Sequence, residues 1–280
     1  MTAANADQIA LWNDDLGQRW VREQARLDAS IAPFGAAALK VAAPRSGEVV
    51  LDIGCGCGDT SLFLAKAVSP GGEVLGVDVS APMLARADAR AAEAGLQHVR
   101  FAEGDASSAK LGGPFDLLFS RFGVMFFDDP QAAFAHLRLA MKPGGRMAFV
   151  CWRTFAENEW ARLPAVAAIG VLGPPKTPAD PLAPGPFAFG DATRTRAILE
   201  GAGWRDVKLE PFDAPMKMGS DVADAAWWST QMGPAGAMLR EAGEDKRDSV
   251  VAALTEALEP FAAPGGVALP GAVWIVSATA

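Results

Sequence analysis

Five short apolar runs punctuate residues 49–151, the first three ending at glycine or near an acid and the last two following glycine. They cover residues 49–53, 74–77 closing on Asp78, 99–102 leading to Asp105, 115–119 after Gly112-Gly113-Pro114, and 147–151 after Pro143-Gly144-Gly145. Runs this short and this uniformly apolar read as strands buried on both faces, the pattern of a parallel sheet. Between them the apolar positions recur at helical spacing. Residues 61–68 follow Asp59-Thr60; 81–94 have Ser80 as N-cap, Pro82 in the first turn and Gly95 past the end; 130–141 lie between Asp129 and Pro143-Gly144. Strand and helix in alternation with short links predict right-handed crossovers and a doubly wound α/β, Rossmann-like sheet.

The flanks follow other patterns. Residues 14–43 predict two helices, broken near Ala32-Pro33. The proline-rich stretch 164–190 reads as an ordered cap or loop. A helix is expected over 191–203, with Asp191 as cap and Gly203 as stop, and a strand over 204–212. Residues 221–243 and 245–261 read as helical, and 272–278 as the last strand. The expected organisation is an N-terminal helical lid (1–44), a ligand-binding core (45–152), and a region (153–280) holding a substrate cap, added helices and the last two strands of the same sheet.

Composition narrows the function. The chain has 280 residues, half of them hydrophobic, enough for one large core. Its net charge of -8 comes with no basic run to neutralise phosphates, which argues against nucleic acid and anionic membrane as partners. No stretch approaches the length of a membrane span, and residues 1–15 hold no basic-then-apolar leader. Three cysteines make no disulfide framework. A cytoplasmic protein is expected, with a small-molecule partner and room for a homodimer.

The strongest local signal is Leu51-Asp52-Ile53-Gly54-Cys55-Gly56-Cys57-Gly58-Asp59-Thr60, a buried strand entering alternating glycines before a helix. Glycine allows a sharp turn and lets a ligand reach the backbone, and the helix start offers free N–H groups. The third glycine comes one residue too early for the dinucleotide fingerprint. Asp78, at the tip of the second strand, can accept both hydroxyls of a ribose, a feature shared with NAD enzymes. Glu103-Gly104-Asp105-Ala106 follows the third strand, where a carboxylate can accept from an adenine amino group and a backbone N–H can reach a ring nitrogen. Three acids at neighbouring strand tips suit S-adenosylmethionine (SAM), which carries an ammonium and a sulfonium and no phosphate.

These segments, with Phe115-Asp116-Leu117-Leu118-Phe119-Ser120-Arg121 and Leu139-Ala140-Met141-Lys142-Pro143-Gly144-Gly145, resemble class I SAM-dependent methyltransferases, above all the ubiquinone/menaquinone-biosynthesis (UbiE-like) branch. The resemblance covers residues 45–152. It implies a seven-stranded sheet of order 3-2-1-4-5-7-6 with strand 7 antiparallel. It also implies that Asp52, Gly54, Cys55 and Gly56 face the methionine part, Asp78 and Val79 the ribose, and Met83, Gly104, Asp105 and Ala106 the adenine. Ser120 and, from the N-terminal helices, Trp20 complete the expected cofactor set. Arg121, Phe122, Met125 and Trp152 follow the fourth and fifth strands, where an acceptor would approach the methyl group, and are the candidate substrate residues.

Other chemistry is weaker. Cys55 and Cys57 without a nearby histidine make poor zinc spacing, so no metal is expected. His98 precedes the third strand, at the wrong end of the sheet for a ligand. His136 is a conceivable base, but a lone helical histidine is usually a packing residue. Phe126, Phe127 and the Trp227-Trp228 pair read as packing. No general base is assigned. The reaction expected is methyl transfer to O, N or C of a small, aromatic or lipophilic molecule. A nicotinamide-dependent oxidoreductase and a non-catalytic SAM-binding partner subunit are the alternatives.

Overall fold

The computed structural model describes residues 5–175, 180 and 182–280. Three helices come first: α1 (Ala6–Asn13), α2 (Asp15–Arg22) and α3 (Gln24–Ala42). The core then alternates β1 (Val49–Ile53), α4 (Asp59–Val68), β2 (Glu73–Asp78), α5 (Ala81–Glu93), β3 (Val99–Glu103), β4 (Phe115–Arg121), α6 (Pro130–Leu139) and β5 (Met141–Trp152). After it come α7 (Glu159–Leu172), α8 (Ala192–Gly201), β6 (Arg205–Gly219), α9 (Val222–Gln231), α10 (Gly233–Ala242), α11 (Arg247–Leu258), the two-residue β7 (Ala262–Ala263) and β8 (Gly266–Thr279).

The sheet order is β3-β2-β1-β4-β5-β8-β6, with β7 paired to β8. Strands β1 to β5 are parallel, and β8 is antiparallel to both β5 and β6. Leaving out the short β7, this is the expected order with its one reversed strand. Its middle is dry: Val50, Leu51, Leu117, Leu118, Phe119, Phe149, Val150 and Cys151 have no solvent exposure. Helix α3 lays Leu27, Ile31, Phe34 and Ala38 across β5, β8 and β6, while α4 covers β1 and β2. Among the described residues, no helix is long and apolar enough to cross a membrane.

Several boundaries differ from the sequence reading. The N-terminal region forms three helices, and the breaks fall at Asp14 and Glu23, where the backbone leaves the helical region, not at Pro33. Pro33 lies inside α3 with its ring exposed; packing of the opposite face holds the helix through the missing N–H. Part of the proline-rich stretch belongs to α7, Pro164 included, and residues 176–179 and 181 lie outside the described residues. The single helix expected over 221–243 is broken at Met232, which is extended, and Gly233, whose φ is 72°. β5 begins at Met141, paired with Phe115 across a register shift, so Pro143-Gly144-Gly145 is a bulge within the strand.

Candidate cofactor and active site

At its carboxyl end β1 enters a loop in which Gly54, Gly56 and Gly58 all have positive φ. Gly54 is constrained twice: its φ is 64°, and a Cβ there would lie 2.5 Å from the Gly123 Cα. A Cβ on Gly56 would meet the Met83 Cε at 2.8 Å. The loop is fixed from β2, since Gly54 and Cys55 both donate N–H to the Val77 carbonyl and Gly56 donates to Asp78 Oδ2 at 2.8 Å. Asp78 Oδ1 accepts from Ser80 N at 2.9 Å, and burial raises its pKa. Each carboxylate oxygen has a second lone pair, so Asp78 still has room for hydroxyl donors. Val79 lies beside it, half-buried, and Gly104 donates its N–H to the Asp78 carbonyl, which ties the tip of β3 to β2.

Asp52 and Asp105 each have one oxygen in use and one buried without a partner. Asp52 is fully buried; its Oδ2 accepts from the hydroxyls of Thr60 at 2.8 Å and Ser61 at 2.6 Å, while Oδ1 has no hydrogen-bond partner. Burial pushes its pKa up to about 6. Asp105 Oδ1 accepts from Ser107 N at 2.9 Å, and Oδ2 is the orphan. Ala106 and Met83 are buried beside these tips.

Not every anticipated residue turns its side chain toward this cleft. The Cys55 thiol packs against Gly76, and burial holds its pKa well above the usual thiol value, so Cys55 offers only backbone. The Ser120 hydroxyl donates to the Ile53 carbonyl at 2.7 Å and accepts from Gly123 N at 3.1 Å; it pins the turn after β4 to the glycine loop. Arg121 ion-pairs with Asp28 of α3 at 2.9 Å and Asp59 of α4 at 2.8 Å, and Arg90 of α5 bonds the same two acids at 3.1 Å each. This square of charges joins three helices and a strand, and engages the Arg121 guanidinium away from the acceptor edge.

Phe122 and Trp152 do come together. Phe122 sits at φ 61° and stacks on Trp152, with centroids 4.3 Å apart. Phe34 meets Trp152 edge-on at 5.1 Å, and Trp160 follows at 4.8 Å. The result is an aromatic wall at the ends of β4 and β5. Met125 is buried in the short turn after β4. Trp20 stands edge-on to Trp12, which in turn meets Phe126 edge-on. Phe127 packs on Phe134, and Trp228 is buried beneath Arg26, while Trp227 is partly exposed. His98 bonds the Ala65 carbonyl and His136 that of Ala109, so both rings hold loops and helices together. Among the described residues, no group of three or more His, Cys, Asp or Glu gathers as a metal site would.

Sequence reasoning missed the part played by α1. Trp12 offers its carbonyl to the Ser80 hydroxyl at 2.7 Å, and Asn13 bridges the Val79 carbonyl and Ala81 N. Nothing in the residues before Asp14 separates these from ordinary polar surface, apart from their spacing on one helix face.

A methyltransferase-domain family profile matches residues 50–145, the segment that holds the glycine loop and all three acids. Over this segment the chain is similar to SAM-dependent methyltransferases, UbiE-like demethylmenaquinone methyltransferases among them. Nocamycin O-methyltransferase of Saccharothrix syringae is 29% identical over 244 residues, which cover 84% of this chain and 86% of that one. A demethylmenaquinone methyltransferase of Thermus thermophilus is 39% identical over 111 residues, 39% of this chain and 50% of that one. The YcgJ protein of Bacillus subtilis shares the fold, with a TM-score of 0.59 at 20% identity over 88% of this chain and 97% of its own.

The residues present fit SAM on their own terms. Unmet buried carboxylate oxygens at the tips of β1 and the β3 loop call for cations or N–H donors, and the glycines clear a path along the backbone. A pH dependence follows. Asp52 keeps its proton up to about pH 6 in the free protein, whereas a cationic ligand favours the carboxylate. Affinity for SAM is therefore expected to be full above pH 7 and to fall as pH drops below about 6, by up to ~10-fold per unit. Asp52→Asn should flatten that profile; an equally steep one in the variant would place the titrating group elsewhere.

Proposed function

We propose that this enzyme transfers the SAM methyl group to an oxygen of a small aromatic or lipophilic acceptor held at the ends of β4 and β5. The observation that carries the reading is the stacked Phe122–Trp152 pair, backed by Phe34 and Trp160, at the edge next to the glycine loop. The O-methyltransferase named among its relatives, alignable over most of both chains, supports oxygen over nitrogen or carbon.

In this proposal SAM supplies an activated methyl on a sulfonium that leaves as a neutral thioether. The chain's own residues bind, orient and keep out water. Backbone of Gly54, Cys55 and Gly56, with Asp52 beneath, holds the methionine part; Asp78 and Val79 take the ribose; Met83, Gly104, Asp105 and Ala106 surround the adenine. Trp20 acts through Trp12 as part of the cover, and Ser120 and Arg121 position the loop after β4. Met125, in the turn after β4, supports the acceptor side. Residues 5–44 act as lid, 45–152 as cofactor core and 153–280 as acceptor cap with two strands of the core sheet. The three free, buried cysteines agree with a cytoplasmic setting, and the net charge of -8 with a partner other than nucleic acid. A homodimer is the assembly we propose.

Incubation with methyl-labelled SAM and a panel of phenols, enols, amines and carboxylates tests this. Label should enter an oxygen of an aromatic or enolic acceptor. Trp152→Leu should raise the acceptor KM about 10-fold, the worth of a lost aromatic contact, with SAM affinity unchanged. Label recovered only on nitrogen, or a Trp152→Leu effect confined to SAM binding, would contradict the proposal.

A further inference from the structure

Helix α1 crosses the tips of the cofactor strands from end to end. At its start Asn5 donates its backbone N–H to Asp128 Oδ2 at 3.1 Å and its amide to Asp105 Oδ1 at 3.5 Å. At its end Asn13 and the Trp12 carbonyl fasten it to Val79, Ser80 and Ala81. Gln8 lies one turn beyond Asn5, so the two share a face of the helix. Among the described residues, the buried side-chain atoms without a hydrogen-bond partner include Asn5 Oδ1, Gln8 Oε1 and Asp105 Oδ2. Asn5 is itself more than nine-tenths buried, at 6% exposure.

All three orphans are acceptors, and Asn5 touches Asp105 directly. Each buried acceptor left without a donor costs about 1–3 kcal/mol, which a ligand bringing N–H donors would recover. A carbonyl ligand brings none, and a hydroxyl brings one. An exocyclic amino group on a flat base brings two N–H donors and no competing acceptor on the same atom.

We propose that Asn5 and Gln8 of α1 belong to the adenine subsite and, with Asp105, select the 6-amino group of the cofactor. The inference rests on the SAM reading of the site and adds a base-selective role to the N-terminal helix. On this view α1 closes fully only over an adenosyl ligand, because a 6-oxo base would set its carbonyl against three acceptors. Asn13 serves the same closure without touching the base.

The test is calorimetry with two ligands, S-adenosylhomocysteine and S-inosylhomocysteine, which differ in the amino-to-carbonyl exchange at C6 and the N1–H that comes with it; the contraction of their ratio in the α1 variants isolates the part read by α1. The wild type should bind the adenosyl ligand at least ~30-fold more tightly. Gln8→Ala should weaken that ligand about 10-fold and leave the inosyl ligand unchanged or slightly tighter, so the ratio contracts. Asn5→Ala should act in the same direction. Asn13→Ala, which only loosens the helix, should weaken both ligands by one factor and keep the ratio. Equal weakening of both ligands by Gln8→Ala and Asn5→Ala would reduce α1 to a cover and overturn the proposal. Binding of neither ligand by the wild type would instead sink the SAM reading beneath it. Far-UV circular dichroism confirms that the variants remain folded.

Discussion

Replacing Asp78 by alanine is expected to weaken SAM binding about 100-fold, ~2.8 kcal/mol. Two losses add here. The carboxylate would no longer accept from the ribose hydroxyls, at about 1–3 kcal/mol for orphaned partners. It would also release Gly56 N and Ser80 N, which it now holds at 2.8 and 2.9 Å, so the glycine loop and the turn after β2 would lose a shared anchor. Asp78→Asn separates the two, because an amide oxygen can still hold one N–H but carries no charge. That variant should lose about 10-fold. Titration calorimetry with SAM reads both. Wild-type affinity in the alanine variant would mean that the ribose lies elsewhere.

Arg121→Met should unfold the protein more readily while leaving acceptor KM within about twofold. Its guanidinium shares Asp28 and Asp59 with Arg90, and three of the four side chains are less than one-fifth exposed, Asp59 being the more open at 38%. Removing one cation leaves two acids facing a single arginine. Breaking a buried pair costs about 3–5 kcal/mol, and the exposure of Asp59 discounts this to about 2–3 kcal/mol. In a chain of this size that is roughly 5 °C in Tm. Asp28→Asn should recover part of the loss by removing one of the acids left in excess. A variant with unchanged Tm and a much higher acceptor KM would show that Arg121 touches the acceptor after all.

The two arginine positions show what a sequence can and cannot convey. Strands β1, β2, β4 and β5 are legible because their apolar runs are largely buried and bounded on one side by turn residues, β3 because its short run leads into Glu103-Gly104-Asp105, and the acids at Asp52, Asp78 and Asp105 are legible because strand tips are where such runs end. Arg121 follows a strand tip too, yet its partners lie on α3 and α4, and no local pattern announces a contact made by the packing of three helices. Ser120 is the same case at shorter range, since its hydroxyl serves the neighbouring strand's carbonyl.

The sequence reading ends this strand at residue 212, whereas β6 runs on through Pro215 to Gly219. β6 is an edge strand, where a missing N–H can face solvent, and Pro215 pairs opposite Pro270 of β8. The half-exposed alternation of β6 carries less signal than the dry runs of the central strands. At the other end, Pro33 suggested a break that packing of Ile31, Phe34 and Ala38 overrides.

The measurement that bears most directly on the central claim is a crystal structure with S-adenosylhomocysteine bound. The ribose hydroxyls should lie on Asp78, the adenine amino group on Asp105 Oδ2, and the amino-acid end over the loop that covers Asp52. A ligand bound away from these tips, or the three carboxylates directed at separate sites, would contradict it.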